Sequence, residues 1–297
     1  QGAHDEQQNE SNIMFAIEED KQPLLWIQQH FPKGAKAGNC LHGLLEDIDF
    51  QNSQQWEREI QRRLTMDGMW QPLITAYQQD YGVDKPIDQI KHEIKQHIKI
   101  WLEHIVQTPM HPTAQGVFCL KQLDVAHRLS EFEFYLTLAN SRFDSERLHE
   151  LFQSYGYEMP TFEHAKSARY LNGAIDLTYF DGEKFHIADY KSNYLGDSRQ
   201  HYSQANIASS MTNASYWLQA GLYLVALHRH LKVSLAGYAP ERHLGGANYL
   251  YLRGMQSTSD FGVQHWQPPL ELILKLDQLL GQHFIFNVND ANLDGTA

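Results

Sequence analysis

The chain has 297 residues, 42% of them hydrophobic and 12% aromatic, with a formal net charge of −12. This much apolar material excludes wholesale disorder and suits one large domain, or one domain with an appended subdomain, while apolar runs as short as 222–227 exclude a transmembrane helix. The acidic balance sits badly with a protein that grips a phosphate backbone unaided, which leaves a carboxylate-rich site that recruits divalent cations or a domain to which others deliver nucleic acid.

Residues 1–34 read as a linker, with 1–12 disordered. The amino terminus is polar and without a basic start or apolar stretch, so no secretory signal is expected, and its lack of an initiator Met points to a piece of a longer protein. A helix is predicted over 37–46, where Leu41, Leu44 and Leu45 form an apolar stripe. The two cysteines, Cys40 and Cys119, supply neither a disulfide framework nor a Cys-rich metal cluster, which fits a reducing cytoplasm. Residues 56–107 read as helices punctuated at Asp67-Gly68, Tyr81-Gly82 and Lys85-Pro86. Within them Ile90, Ile94, Ile98, Trp101 and Ile105 recur at helical spacing.

The periodicity then changes. Residues 131–138 alternate and are rich in aromatics, which predicts a strand; 144–156 read as a short helix ending at Gly156. Next comes a hairpin, residues 173–180 and 186–193, with Asp181-Gly182 in its turn. A single helix is expected over 211–231, a turn at Gly245-Gly246, a strand over 248–253 and a closing helix over 268–281. Helices first, then strands mixed with helices, describe an α/β core with an amino-terminal helical portion.

The hairpin carries the chemistry. If Asp181–Lys184 form a four-residue loop, Phe180 opposes Phe185 and Asp176 falls opposite Asp189. Lys191, two residues beyond Asp189, shares that face. Carboxylates opposed across a sheet repel each other, and a divalent cation between them would offset the cost. A lysine beside such a cation can stabilise charge developing on a phosphate. The plain alternative is a surface ion-pair cluster, and burial after Phe185-His-Ile-Ala188 argues against it.

Other candidates are weaker. His42 lies on the first predicted helix, four residues before Glu46, as either a third metal ligand or a satisfied core histidine. Gln219 and Tyr223 share a helix face, where they either order the site or simply pack. Glu133 is a candidate water-positioning acid. His164, Lys166, Arg169 and Arg199 either contact phosphates or form a solvated basic cluster. No Gly-x-x-x-x-Gly-Lys-Ser/Thr loop occurs, so no ATP site of that kind is expected here.

Taken in order, His42, Glu133, Asp176, Asp189-Tyr190-Lys191 and Gln219-x-x-x-Tyr223 resemble the RecB-family nuclease domain of the PD-(D/E)XK superfamily, over residues 35–285. That resemblance implies a restriction-endonuclease-like α/β core, with a mixed central sheet flanked by helices, and a tail over 286–297. It implies His42, Asp176, Asp189 and the Tyr190 carbonyl as metal ligands, Lys191 as the catalytic lysine, and Gln219 and Tyr223 as residues that orient the site. The implied cofactor is Mg²⁺, with Mn²⁺ or Ca²⁺ able to occupy the same site. The implied reaction is hydrolysis of DNA phosphodiester bonds in strands emerging from a helicase, during double-strand-break repair and recombination. Implied partners are DNA, a helicase portion of a parent chain, RecC- and RecD-like subunits and a RecA-type recombinase. The iron–sulfur branch of the family needs four cysteines, more than this chain has. Two other readings stay open: a non-catalytic docking module for sister subunits or recombinase, and a stand-alone structure-specific nuclease.

Overall fold

Apolar spacing and its interruptions set the element order in the computed structural model, which describes residues 23–137, 145–158, 170–281 and 284–285. The helices α1 (Trp26–His30), α2 (Ala35–Asp47), α3 (Trp56–Met66), α4 (Trp70–Tyr81) and α5 (Ile87–Gln107) come first. They stop or start at the Asp67, Gly82 and Pro86 positions expected. A small hairpin, β1 (His111–Thr113) and β2 (Gly116–Phe118), leads to β3 (Arg128–Thr137), α6 (Ser145–Ser154), β4 (Tyr170–Phe180) and β5 (Phe185–Lys191). The chain continues through α7 (Gln204–Asn213), α8 (Tyr216–Ser234), α9 (Pro240–His243), β6 (Leu244–Tyr251), β7 (Val263–Trp266), α10 (Leu270–Leu280) and β8 (Phe284–Ile285). The larger sheet has the strand order β7-β6-β5-β4-β3-β8. This is the α/β class expected, with its helical amino-terminal portion. Among the described residues no helix is long and apolar enough to cross a membrane.

Three expectations are corrected. The single helix over 211–231 is two helices, because Ser215 takes a left-handed conformation (φ 58°) between them. The Thr-Asn-Ala-Ser run there offers side-chain oxygens that compete for helical hydrogen bonds, and Thr212 Oγ1 accepts from the Trp217 indole (3.1 Å). Gly245-Gly246 is not a turn but part of β6, which begins at Leu244 and ends at Tyr251. The His186 ring occupies the space a side chain at 245 would need (2.4 Å from an ideal Cβ), so the glycine serves close packing. Finally, residues 23–34, assigned to the linker, contain α1 and bury Leu24, Ile27 and Phe31. Residues 1–22 and 286–297 lie outside the described residues, as do His164, Lys166 and Arg169.

The fold divides into two compact units. The first takes residues up to His127, Asp189–Ser210 and Asn248–His265; the second takes Arg128–Ala188, Met211–Ala247 and Trp266 onward. In the first, the apolar stripe of α5 (Ile90, Ile94, Ile98, Trp101, Ile105) is buried, as are Leu41, Leu44 and Leu45 of α2. The hub of this unit is Arg253, wholly buried just past the end of β6. Its guanidinium donates to the carbonyls of Gln28 (2.7 Å), Pro32 (2.6 Å) and Ser192 (3.0 Å). The same turn is held from both sides: Trp101 Nε1 donates to the Leu252 carbonyl (2.8 Å) and Gln28 Nε2 to that of Met255 (3.2 Å).

In the second unit β3 and β4 pair antiparallel, with Phe134 opposite Gly173 and Phe132 opposite Ile175. The β4–β5 ladder pairs Phe180 with Phe185 and Leu177 with Ala188, so the turn has the length and register expected. Helix α10 packs on α8 at Gly221, where a side chain would meet Phe152 and Leu276. Across that contact Arg229 pairs with Asp277 (2.5 Å) and donates to the Gly281 carbonyl, closing the end of α10.

Arg253→Met would leave three carbonyls, one buried and two half-buried, without this donor. At ~1–3 kcal/mol for a buried unsatisfied group and less for a half-buried one, a loss of about 2–3 kcal/mol is expected in urea unfolding, with Arg253→Lys recovering part of it. A loss below about 1 kcal/mol would mean that water replaces the guanidinium.

Candidate active site

Alternation along β5 sends Asp189 and Lys191 to one side of the strand. In the first unit Asp189 is buried at 4% exposure, and its Oδ2 lies 2.5 Å from Lys191 Nζ. The lysine also stands over the Tyr249 ring, 5.1 Å from its centroid. Helix α2 reaches this strand end through two residues one turn apart. A side chain at Gly38 would meet Ser192 Oγ at 2.9 Å, so only glycine allows this approach without a shift, and His42 then meets the Tyr190 ring edge-on at 5.7 Å. His42 is thereby set against the residue that lies between Asp189 and Lys191. Glu46, a turn further on, is 3.7 Å from Arg63, and Asp47 pairs with both Arg62 and Arg63. Arg199 is half-buried and opens a short 3-10 turn (Arg199–Tyr202).

In the second unit Asp176 is half-buried on β4, and Glu133 is exposed on β3 opposite Ala174. Alternation puts Ala174 and Asp176 on one side of the ladder, so Glu133 lies diagonal to Asp176 on that side. Glu131 is the residue between the flanking pairs Ser130–Leu177 and Phe132–Ile175, level with Asp176, and it takes a left-handed backbone conformation (φ 51°). Such a conformation is uncommon for a glutamate, and it falls where two carboxylates would otherwise oppose each other. Gln219 Nε2 donates to the Tyr223 hydroxyl (2.9 Å), and the Tyr223 ring packs on Phe134 (5.5 Å) beside Gly173. Those contacts lie on the opposite side of β4 from Asp176. Any influence of Gln219 and Tyr223 on the acid must therefore pass through the strand.

The turn that sets this register is locked by its own acid. Asp181 Oδ1 accepts from the main-chain N–H of Glu183 and of Lys184 (2.8 Å each), and Oδ2 lies 2.9 Å from His186 Nε2. The other ring nitrogen of His186 accepts from the Gly246 N–H (3.0 Å), which assigns the proton to Nε2. Burial pushes the Asp181 carboxyl up, but the His186 contact and the two main-chain donors outweigh it and hold the group well below the usual carboxylate range.

Four residues here had no role assigned from the sequence: Gly38, Glu131, Tyr249 and Arg253. Of these Arg253 left a signal, since an arginine directly after the apolar alternation of 249–252 has to be buried with partners.

An α/β fold presenting an Asp-X-Lys strand paired with a second acid-bearing strand defines a class of nucleases. The sequence profile of the PD-(D/E)XK nuclease superfamily matches residues 24–284, and the chain belongs to that superfamily. Its relatives include the RecB subunit of the RecBCD enzyme from Escherichia coli (strain K12), 30% identical over 264 residues, which is 87% of this chain and 20% of that subunit. The RecB subunit of Mycolicibacterium smegmatis is also 30% identical, over 84% of this chain and 24% of the relative, and that of Haemophilus influenzae is 27% identical over 91% and 19%. The chain thus spans about a fifth to a quarter of the length of these relatives.

Because the folded-state pKa of Asp181 is depressed, its ionised form stabilises the fold. That contribution is complete above the ordinary carboxylate range, near about pH 4, and is lost as pH falls through the folded value. The stability difference between wild type and Asp181→Asn, measured by urea unfolding, should therefore be largest at neutral pH and shrink steadily below about pH 4. A difference that stays constant down to about pH 2 would show that the carboxylate charge plays no part.

Proposed function

We propose that this nuclease hydrolyses DNA phosphodiester bonds with Mg²⁺ as its cofactor, in strands that a helicase feeds to it; Mn²⁺ or Ca²⁺ would take the same ligands. The buried Asp189–Lys191 pair carries this reading. With Asp189 4% exposed and the Lys191 side chain 11% exposed, the pair is not a solvated surface cluster. The hairpin register supports it. Leu177 pairs with Ala188, the register that a turn of even length requires.

The donor set suits a hard divalent cation. Carboxylates from Asp176 and Asp189, the Tyr190 carbonyl and one imidazole from His42 are the groups that would hold it. When bound, such an ion supplies Lewis acidity at the scissile phosphate. Lys191 contributes a fixed positive charge where negative charge develops on the phosphate oxygens. Glu133, on the Asp176 side of its ladder, would hold and orient a water by hydrogen bonding. Gln219 and Tyr223 brace the other side of β4.

The relatives are subunits of an assembly, and this chain corresponds to a small part of their length. Accordingly we assign to it a helicase portion of a longer chain, RecC- and RecD-like subunits and a RecA-type recombinase as partners, with a cytoplasmic role in double-strand-break repair and recombination. The net charge of −12 fits DNA delivered by others rather than captured unaided.

Mg²⁺-dependent degradation of single-stranded DNA should fall below detection in Asp189→Ala and Asp176→Ala. It should drop by on the order of 10²–10³-fold in Lys191→Ala. Undiminished Mg²⁺-dependent cleavage by purified Asp189→Ala, free of contaminating nuclease, would defeat the proposal.

A further inference from the structure

Two of the neighbours of Lys191 differ in chemical kind. Its ammonium lies 2.5 Å from Asp189 Oδ2 and 5.1 Å from the centroid of the Tyr249 ring. Tyr249 is wholly buried in β6 and the Lys191 side chain is 11% exposed, so water does little to screen the contact. We propose that Tyr249 is a positioning residue whose aromatic face keeps the Lys191 ammonium at the reaction centre once Asp189 engages a metal ion. This rests on the reading of Lys191 as the catalytic lysine.

An ion pair with Asp189 is a poor tether for a lysine that must act on phosphate. A carboxylate that binds a divalent cation has less charge to offer an ammonium, and the cation itself repels that ammonium at short range. An aromatic face avoids the conflict. It attracts a cation through its quadrupole, more strongly when the pair is desolvated, and its ring carbons offer no hard oxygen for Mg²⁺ to take. An aliphatic side chain at 249 could fill the same space but would offer the ammonium no aromatic face. Tyr251, two residues along the same strand, is engaged elsewhere, since its hydroxyl donates to Ser210 Oγ (2.9 Å).

The test varies the ring's electrostatics at nearly constant shape. In the full chain, position 249 is occupied in turn by Tyr, Phe and mono-, di- and trifluorinated phenylalanines. Single-turnover cleavage of single-stranded DNA is then measured at saturating Mg²⁺. The rate should fall stepwise with each fluorine, to about a tenth for the trifluoro ring, with Tyr249→Phe within about threefold of wild type and Tyr249→Leu as slow as the trifluoro protein. A second readout needs no metal. The Lys191 Hε protons should resonate upfield, shifted by the ring current, in wild type and Tyr249→Phe, and return to ordinary positions in Tyr249→Leu.

A rate that does not vary across the fluorinated series, or Lys191 resonances unmoved in Tyr249→Leu, would overturn the inference. The failures are separable. Full cleavage by Lys191→Ala would remove the catalytic lysine and this inference together, whereas an essential Lys191 with a flat fluorine series removes only the role of Tyr249.

Discussion

A buried guanidinium organises the part of this protein that carries its Asp-X-Lys strand. Arg253 is wholly enclosed, and its donors reach three carbonyls from two separate stretches of chain, Gln28 and Pro32 on one side and Ser192 on the other. The first stretch runs directly into the helix that bears His42; the second follows Lys191 without a break. Desolvating an arginine is costly, and a hydrophobic residue of similar volume often serves stability as well. What a hydrophobic residue cannot do is fix the distance between two loops, because it has no directional bonds. The arginine is therefore best understood as a spacer of defined length.

Around that spacer the residues of the candidate site are held by unlike means. Asp189 and Lys191 are ordered by strand alternation, His42 by the close approach of a glycine to Ser192, and the hairpin register by a carboxylate folded back on its own turn. The second acid sits level with a glutamate whose backbone has turned into the left-handed region. Like charges opposed across a ladder repel one another, and the turned backbone at Glu131 falls where that repulsion would arise.

Much of this was legible in the residues themselves. The helices of the amino-terminal portion follow from apolar spacing and from Asp-Gly, Tyr-Gly and Lys-Pro interruptions, and the hairpin register follows from a turn of even length. The failures share a cause. Gly245-Gly246 resembles a turn in isolation, and only the His186 ring, sixty residues away in sequence, makes the glycines a packing surface. Tyr249 reads as one more apolar strand residue until β6 is known to lie beside β5. The side of the ladder on which Gln219 and Tyr223 sit depends on a register that helical spacing cannot report. Local pattern fixes elements; contacts between distant segments assign their roles.

The left-handed serine between α7 and α8 has an effect on how such a chain can vary. In an unbroken helix, one inserted residue rotates everything downstream by about 100°, since a turn holds ~3.6 residues. Here the rotation would end at Ser215, and the phase of Gln219 and Tyr223 is counted from that point rather than from Gln204. The segment ahead of it is thus free to gain or lose residues without turning Tyr223 away from Phe134. A single non-helical residue works as a coupling that slips, separating a stretch of chain open to length change from one that must keep its aim.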